Sequence, residues 1–339
     1  MRKIINTLFL FFATCLPIVI GTYCFAQTYQ ITQYYAAPTF INPAFAGSGV
    51  CARLTTNYRV QWPSIPGAFS TYLFSFDHSI VKKNSGIGFL FVNDRAGAGN
   101  LRTTGFNAQY SYQLKLSRKW AFNAGFEAGF TQRNYDFNKY IFGDQIAFGT
   151  STSVTQPAHD KVQYPDLSAG MLLYSEKIWI GFSGRHLNMP NQGLTSNESR
   201  LPILYSVHGG WVFRVSHKEE VGRAFTKQTI TPAFNYRFEK KFVQLDIGCY
   251  YNYHLFVIGV WYRGLPVVKT YKQPAYKNND ALAILAGIVF NQVKFAYSYD
   301  LTVSRLAGST AGAHEISISY QFCDPTNKRW KAVVPCAKF

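Results

Sequence analysis

The sequence predicts an all-β fold, a transmembrane antiparallel β-barrel of fourteen strands, on three observations. Apolar and polar residues alternate with period two along run after run, the signature of strands rather than helices. The apolar positions are heavily aromatic: Phe, Tyr and Trp make up 17 % of the 339 residues and charged residues only 15 %, against about 25 % in a soluble domain. Long and short connections also alternate, as they do in outer-membrane barrels.

The first element is an export signal. Arg2 and Lys3 precede the apolar stretch Leu8–Ile20, and Cys24-Phe-Ala26 offers a cleavage site, so residues 1–26 are expected to be removed and the mature chain to begin at Gln27. The stretch is too short to span a bilayer comfortably, and no later apolar run reaches the length of a membrane helix. An exported chain without such helices is a secreted β-protein or an outer-membrane barrel, because only helices and closed barrels satisfy the backbone in lipid. Residues 27–50 are expected to form an N-terminal periplasmic segment, lying in the periplasm or folding into the barrel mouth. In it Asn42, placed before Pro43, should be extended, and Gly47 should allow a sharp turn into the first strand.

Strands are expected near 51–61, 68–79, 85–93, 102–115, 119–131, 165–175, 177–187, 203–215, 227–238, 242–251, 254–263, 281–290, 293–300 and 313–323, which puts the barrel at 51–323 and leaves 324–339 as a periplasmic tail. In the fifth run Phe122, Ala124, Phe126, Ala128 and Phe130 oppose Asn123, Gly125, Glu127 and Gly129. The two closing runs are the clearest. Phe295, Tyr297 and Tyr299 share one face, and Ile316, Ile318, Tyr320 and Phe322 share another, each backed by polar residues. Such runs match the 9–11 residues of a tilted membrane strand. The odd-numbered connections are mostly long, including 132–164 and 188–202, with a short exception at Glu239–Lys241. The even-numbered ones are mostly tight, with 216–226 as the exception. Long loops outside and short turns inside would place both termini in the periplasm. The longest loop, 132–164, is expected to carry short helical turns.

The chain's net charge is +17, and removal of the two cations of the signal leaves +17 − 2 = +15. That balance suits an anionic setting such as outer-membrane lipid and lipopolysaccharide, or an acidic partner. The cations are scattered and not gathered into a nucleic-acid patch. Seven dispersed histidines make no His-Glu-x-x-His pattern, and there is neither a Cys-x-x-Cys nor a phosphate-binding glycine loop. No catalytic, metal or cofactor site is therefore expected, and the protein reads as non-enzymatic. Ile180-Gly-Phe-Ser-Gly184 is near a nucleophile elbow but lacks its spacing.

Arg53, Arg59, Glu127, Asp246, Asp300 and Glu315 all have inward parity. They either pair with one another and rigidify the barrel, or line the lumen for selectivity or for a threaded polypeptide. His314-Glu315 opens the last strand and Asp300 closes the one before it, so the three are expected as a hydrogen-bonded cluster at the outer rim. Cys51 and Cys323 sit at the periplasmic ends of neighbouring first and last strands, which allows a seam disulfide. Pairing of Cys323 with Cys336, and free thiols throughout, stay open as alternatives.

Gln33-Tyr-Tyr-Ala-Ala-Pro-Thr-Phe-Ile-Asn-Pro-Ala-Phe-Ala-Gly47 resembles the N-terminal signature of the PorP/SprF outer-membrane proteins of type IX secretion. Tyr58-Arg-Val-Gln-Trp62, Gly181–Leu187 with Arg185-His186-Leu187, Tyr299-Asp300 with Gly312-Ala-His-Glu315, and the final Pro335-Cys-Ala-Lys-Phe339 follow in the family's order. The motif positions Asn42, Pro43, Gly47, Arg59, Trp62, His186, Tyr299, Asp300, His314 and Glu315 are thereby marked for structural or partner-contact roles. The resemblance implies a component of type IX secretion in the cell outer membrane, working with PorK-like and PorN-like ring proteins. It also implies a role in export or surface anchoring of a cargo such as a large gliding-associated adhesin. Residues 216–226 and Glu239–Lys241 depart from the family pattern. A passive porin for small solutes is the alternative.

Overall fold

The computed structural model describes residues 29–322, except 50, 138–139, 152, 155–159, 195–197, 217–227, 241, 266–269, 273–274, 278 and 305. The expected signal 1–26, the tail 324–339, Cys323, Cys336 and most of the charged stretch 216–226 lie outside the described residues. The chain divides into two units, Met1–Gln30 and Ile31–Phe339, and the barrel belongs to the second.

Seventeen strands follow in order: β1 (Arg53–Gln61), β2 (Phe69–Ile80), β3 (Ser85–Ala96), β4 (Leu101–Lys115), β5 (Ala121–Asn134), β6 (Lys161–Tyr174), β7 (Ile178–Arg185), β8 (Leu204–Trp211), β9 (Phe213–Ser216), β10 (Gln228–Glu239), β11 (Phe242–Tyr253), β12 (Phe256–Gly264), β13 (Thr270–Lys272), β14 (Ala275–Lys277), β15 (Asn279–Phe290), β16 (Val293–Thr302) and β17 (Ala313–Gln321). β8 and β9 flank Val212 and both pair with β10, so they are two halves of one stave. β13 and β14 form a separate hairpin. Fourteen antiparallel staves remain, each paired with its neighbours in sequence, and β1 closes onto β17 from Arg53↔Gln321 to Gln61↔Ala313. Every expected strand is present. β3 and β4 run further than expected, which shortens their connection to residues 97–100. The connection 135–160 carries the expected short helix, here Gly143–Phe148.

Burial along the staves is the reverse of a soluble protein's. In β5, Asn123 and Glu127 are buried while Phe126 and Phe130 are each 48 % exposed. Ile284, Phe295, Ile318 and Tyr110 likewise point outward, into what is hydrocarbon in a membrane. The polar face points to the centre, where Asn57, Arg59, Asp77, Gln109, Asp246, Asp300 and Glu315 are all buried. Something other than water must therefore fill the centre.

That filling is the chain's own segment 31–49. It was expected beneath the barrel or at its mouth; instead it lies within the ring of staves. Helix α1 (Pro38–Ile41) and a 3-10 turn (Pro43–Phe45) make up its middle, each opened by a proline whose missing N–H leaves no donor unsatisfied. Asn42 between them is extended, φ −153° and ψ 123°, because the ring of Pro43 disfavours the helical region for the residue before it. Gln33, Ala37, Asn42, Ala44 and Ala46 have no accessible surface at all.

Candidate functional site

The plug touches the wall at both ends of the lumen. Near the short turns, Asn42 is the central contact. Its Oδ1 accepts the Ala44 N–H at 2.8 Å, capping the 3-10 turn, and its Nδ2 donates to the Met171 carbonyl at 2.9 Å and the Phe182 carbonyl at 3.2 Å. Side chains of the wall reach in to the plug's own carbonyls. Gln109 donates to Thr39 O, Ser111 to Ala46 O, Asn123 to Ala44 O and Ser183 to Ile41 O. These bonds satisfy backbone groups that would otherwise be buried without partners, at about 1–3 kcal/mol each. Ser183 belongs to the stretch that resembles a nucleophile elbow; its hydroxyl is engaged in holding the plug.

Close approach here is possible because the wall is bare. A Cβ on Gly125 would strike the backbone of Ala44, and one on Gly170 would overlap the Asn42 amide. At Gly47, φ is +63° and a Cβ would come within 2.6 Å of the Gly86 Cα. The expected sharp turn at Gly47 is thus present, and Asp77 Oδ2 accepts the Gly47 N–H at 3.1 Å while Arg53 pairs with Asp77 at 2.9 Å.

Near the long loops the plug meets charge. Six ionisable groups from six staves form an alternating chain: Glu315, Arg59, Asp300, Arg263, Asp246, Arg237. Successive contacts are 3.3, 2.8, 3.2, 3.0 and 3.2 Å. Thr32 sits against its middle. Thr32 Oγ1 donates to Asp300 at 2.7 Å and accepts from Arg59 at 2.8 Å and Arg263 at 2.9 Å, while the Thr32 N–H donates to Glu315 at 2.6 Å. The Gln33 side chain donates to the Glu315 carbonyl at 2.8 Å and accepts from Ser317. Tyr34 donates to Asp246, and its ring packs edge-on against Trp261, centroids 5.4 Å apart. Tyr35 packs the same way against Tyr250 at 5.1 Å. Equal numbers of each charge, arranged in alternation, let the buried groups compensate one another. The space left between the plug and the aromatic side of the wall, beside Phe45, Trp179 and His208, is about 20 Å³, room for one water.

The remaining sequence-marked residues scatter around this core. Glu127 is buried on β5 and accepts from Gln109 and Ser168. Trp62 has φ +58° and donates its N–H to the Gly312 carbonyl at 2.8 Å, extending the seam by one bond past Gln61↔Ala313. His186 has φ +59° and its Nδ1 lies 2.7 Å from Asp166 Oδ2. Cys51 is disulfide-bonded, its expected partner Cys323 being outside the described residues, and Cys249 is free.

The expected rim cluster of Asp300, His314 and Glu315 is corrected. Adjacent residues of a strand face opposite ways, so Glu315 points into the lumen with Asp300 while His314 points out. There its Nδ1 lies 2.7 Å from the Tyr297 hydroxyl and its ring 5.0 Å from that of Tyr299. Thr32, Arg237 and Arg263 were not singled out from the sequence. Inward parity was available for both arginines. The one hint of the plug was the glycines at inward positions such as Gly125, which a water-filled lumen does not need.

A closed antiparallel barrel, apolar outside and filled with polar contacts to its own N-terminal segment inside, defines a plugged outer-membrane β-barrel protein. The chain belongs to the family described as type IX secretion system membrane protein PorP/SprF, whose model matches residues 24–320. It is therefore a membrane protein of type IX secretion, located in the outer membrane. No curated protein matches the sequence. Among solved structures, the CymD monoaromatic hydrocarbon channel is similar at 12 % identity over 88 % of this chain and 95 % of its own, with a TM-score of 0.48. The KdgM porin is similar at 9 % identity over 80 % and 99 %, TM-score 0.34. BamA from Haemophilus ducreyi lacking POTRA domains 1–3 is similar at 7 % identity over 80 % and 70 %, TM-score 0.43.

Proposed function

We propose that the protein is a non-enzymatic accessory barrel that assists export or surface anchoring of a type IX cargo, such as a large adhesin, by binding other proteins rather than by conducting. The supporting observation is the plug. A segment hydrogen-bonded from Asp77 at one end of the lumen to Arg59, Asp300 and Glu315 at the other occupies the space a solute would have to cross. This weighs against the passive-porin reading, and it moves the working surfaces of the molecule to its loops and turns. Partners in this reading are a secreted cargo and PorK-like and PorN-like ring proteins.

Two measurements test it. Deletion of the gene should remove one or a few proteins from the cell surface while small-solute uptake is unchanged. Purified protein in planar bilayers should be electrically silent. Steady conductance of the wild-type protein, with an unaltered surface proteome in the deletion strain, refutes the proposal in favour of the porin.

A further inference from the structure

The outer wall of β3 to β6 carries an ordered stack of rows near the long-loop end. Residues directly opposite one another on antiparallel neighbours stand side by side, and parity keeps each row on one face. Phe91, Phe106, Phe130 and Pro165 form one such row on the outward face, where Phe106 is 52 % and Phe130 48 % exposed. The next row towards the long loops is Asn93, Thr104, Gln132 and Gln163, joined in pairs by hydrogen bonds of 2.7 and 2.8 Å. The row beyond that is Arg95, Arg102, Asn134 and Lys161. Apolar rings, neutral hydrogen-bonding groups and cations thus follow one another up the wall. On β4, Arg102 lies about 13 Å along the strand from Phe106 and, at the tilt of a membrane barrel, about 10 Å higher. That carries it from the hydrocarbon into the interfacial layer.

The cation row has no compensation of its own. Arg95 and Arg102 are directly opposite each other, a placement that sets Cβ atoms about 4.5–5.5 Å apart and in which like charges repel. Among the described residues neither they nor Lys161 is in an ion pair. Asp94 has inward parity and accepts from Thr71, Asp144 accepts from Ser153, and Glu198 pairs with Arg200. Asp136 and Asp160 stand past the ends of β5 and β6. The adjoining residues outside the description, 138–139, 152, 155–159 and 195–197, include no Asp or Glu. Two guanidinium groups held together on a lipid-facing wall call for a bound anion, and phosphate suits them because it accepts bidentate bonds. The rings below the row decide the source of that phosphate. They take acyl chains, which a free phosphate ion or a protein carboxylate lacks. Barrels present their long loops outside, where the acylated phosphate is lipopolysaccharide. We propose that Arg95, Arg102 and Lys161 bind the phosphate groups of a lipopolysaccharide molecule, with the amide and hydroxyl row against its sugar and its acyl chains along Phe106 and Phe130. The site is independent of the lumen and of the accessory role, and either can fail without the other.

Native mass spectrometry of the full chain in detergent, with diphosphoryl lipid A added, tests the site. Wild type is expected to bind lipid A, and the variant carrying Arg95→Gln, Arg102→Gln and Lys161→Gln to bind it about tenfold more weakly, with the barrel's heat-modifiable mobility unchanged. Lipid A stripped of its phosphates should bind wild type as weakly as diphosphoryl lipid A binds the variant. Excess inorganic phosphate should not displace the lipid, and changing Lys82, Lys83 and Lys119 at the short turns to Gln should leave its binding unaltered. The proposal is overturned by equal affinity of variant and wild type, or by equal binding of the dephosphorylated lipid. Displacement by inorganic phosphate would mark a free-anion site, and an equal loss from the short-turn set would mark unspecific charge attraction; either refutes it. So does a co-purifying protein, rather than lipid A, being what neutralisation of the row removes. If the triple variant alters the heat-modifiable mobility, Arg102→Gln alone replaces it, and an affinity equal to wild type then refutes the proposal.

Discussion

At the residue scale, Thr32 has an importance out of proportion to its size. One hydroxyl donates to a carboxylate and accepts from two guanidinium groups, so it occupies the place a water would otherwise take in the middle of a six-membered charge chain. Arg59 links that chain to the plug. Arg59→Met leaves Asp300 one partner short and Glu315 without its cation, both deep in the lumen. Breaking a buried pair from one side costs about 3–5 kcal/mol, so the variant should unfold at markedly lower temperature in a heat-modifiability gel. Gly170→Leu acts on the opposite end of the plug. Its side chain would occupy the space of the Asn42 amide, and the expected result is an intact barrel whose segment 31–49 becomes susceptible to added protease. Protection equal to wild type would show that the plug does not need that contact. Other residues show how much of the plug and the rim is legible in the sequence. Asn42 and Gly47 were legible because local rules, a residue before proline and a turn needing positive φ, act without the rest of the molecule. His314 was misread because its neighbour Glu315 drew it into a cluster, although strand parity alone places the two on opposite faces.

At the element scale, the plug and the staves depend on each other unequally. The wall is closed by backbone ladders from β1 round to β17 and does not need the plug for its hydrogen bonds. The plug has no regular structure longer than one short helix and takes its order from the wall. Deletion of residues 31–49 should therefore leave a folded, heat-modifiable barrel that conducts in planar bilayers where the full-length protein is silent; a silent deletion variant would mean that the loops alone seal the lumen. Removing the disulfide at Cys51 is a separate matter. Cys51→Ser should lower the unfolding temperature, since loss of a native disulfide typically costs about 2–5 kcal/mol, with no conductance appearing. The strands themselves were legible from period two and from the alternation of long and short connections. The plug was not, because the same alternation of apolar and polar residues results whether the inward face meets water or protein.

At the scale of the whole molecule, a protein with 15 % charged residues and a net charge of +17 places its charges very unevenly. Among the described residues its lumen holds a balanced set, its membrane-facing surface holds almost none, and the turns β2–β3, β4–β5 and β6–β7 expose Lys82, Lys83, Arg118, Lys119 and Lys177. Function is expected to follow that distribution. A filled lumen leaves the two ends as the surfaces that can meet other proteins. Surface display of cargo in cells lacking the gene should accordingly be restored by the wild type, and by Arg237→Lys, which keeps the charge inside. The measurement is the amount of surface-labelled cargo per cell.

The threading of segment 31–49 also fixes an order of events. Its turn-side contacts join residues close in the chain, Gly47 to Asp77 across 30 positions and Asn123 to Ala44 across 79. Its loop-side contacts, Thr32 to Glu315 and Gln33 to Ser317, span 283 and 284. Entropy favours closing the short spans first. The segment is thus caught by β2 to β7 while the sheet is still open, and β17 completes both the ring and the binding of Thr32 in one late step. The barrel is assembled around an occupant it already holds, and at no stage of that sequence does a finished, empty pore stand in the membrane.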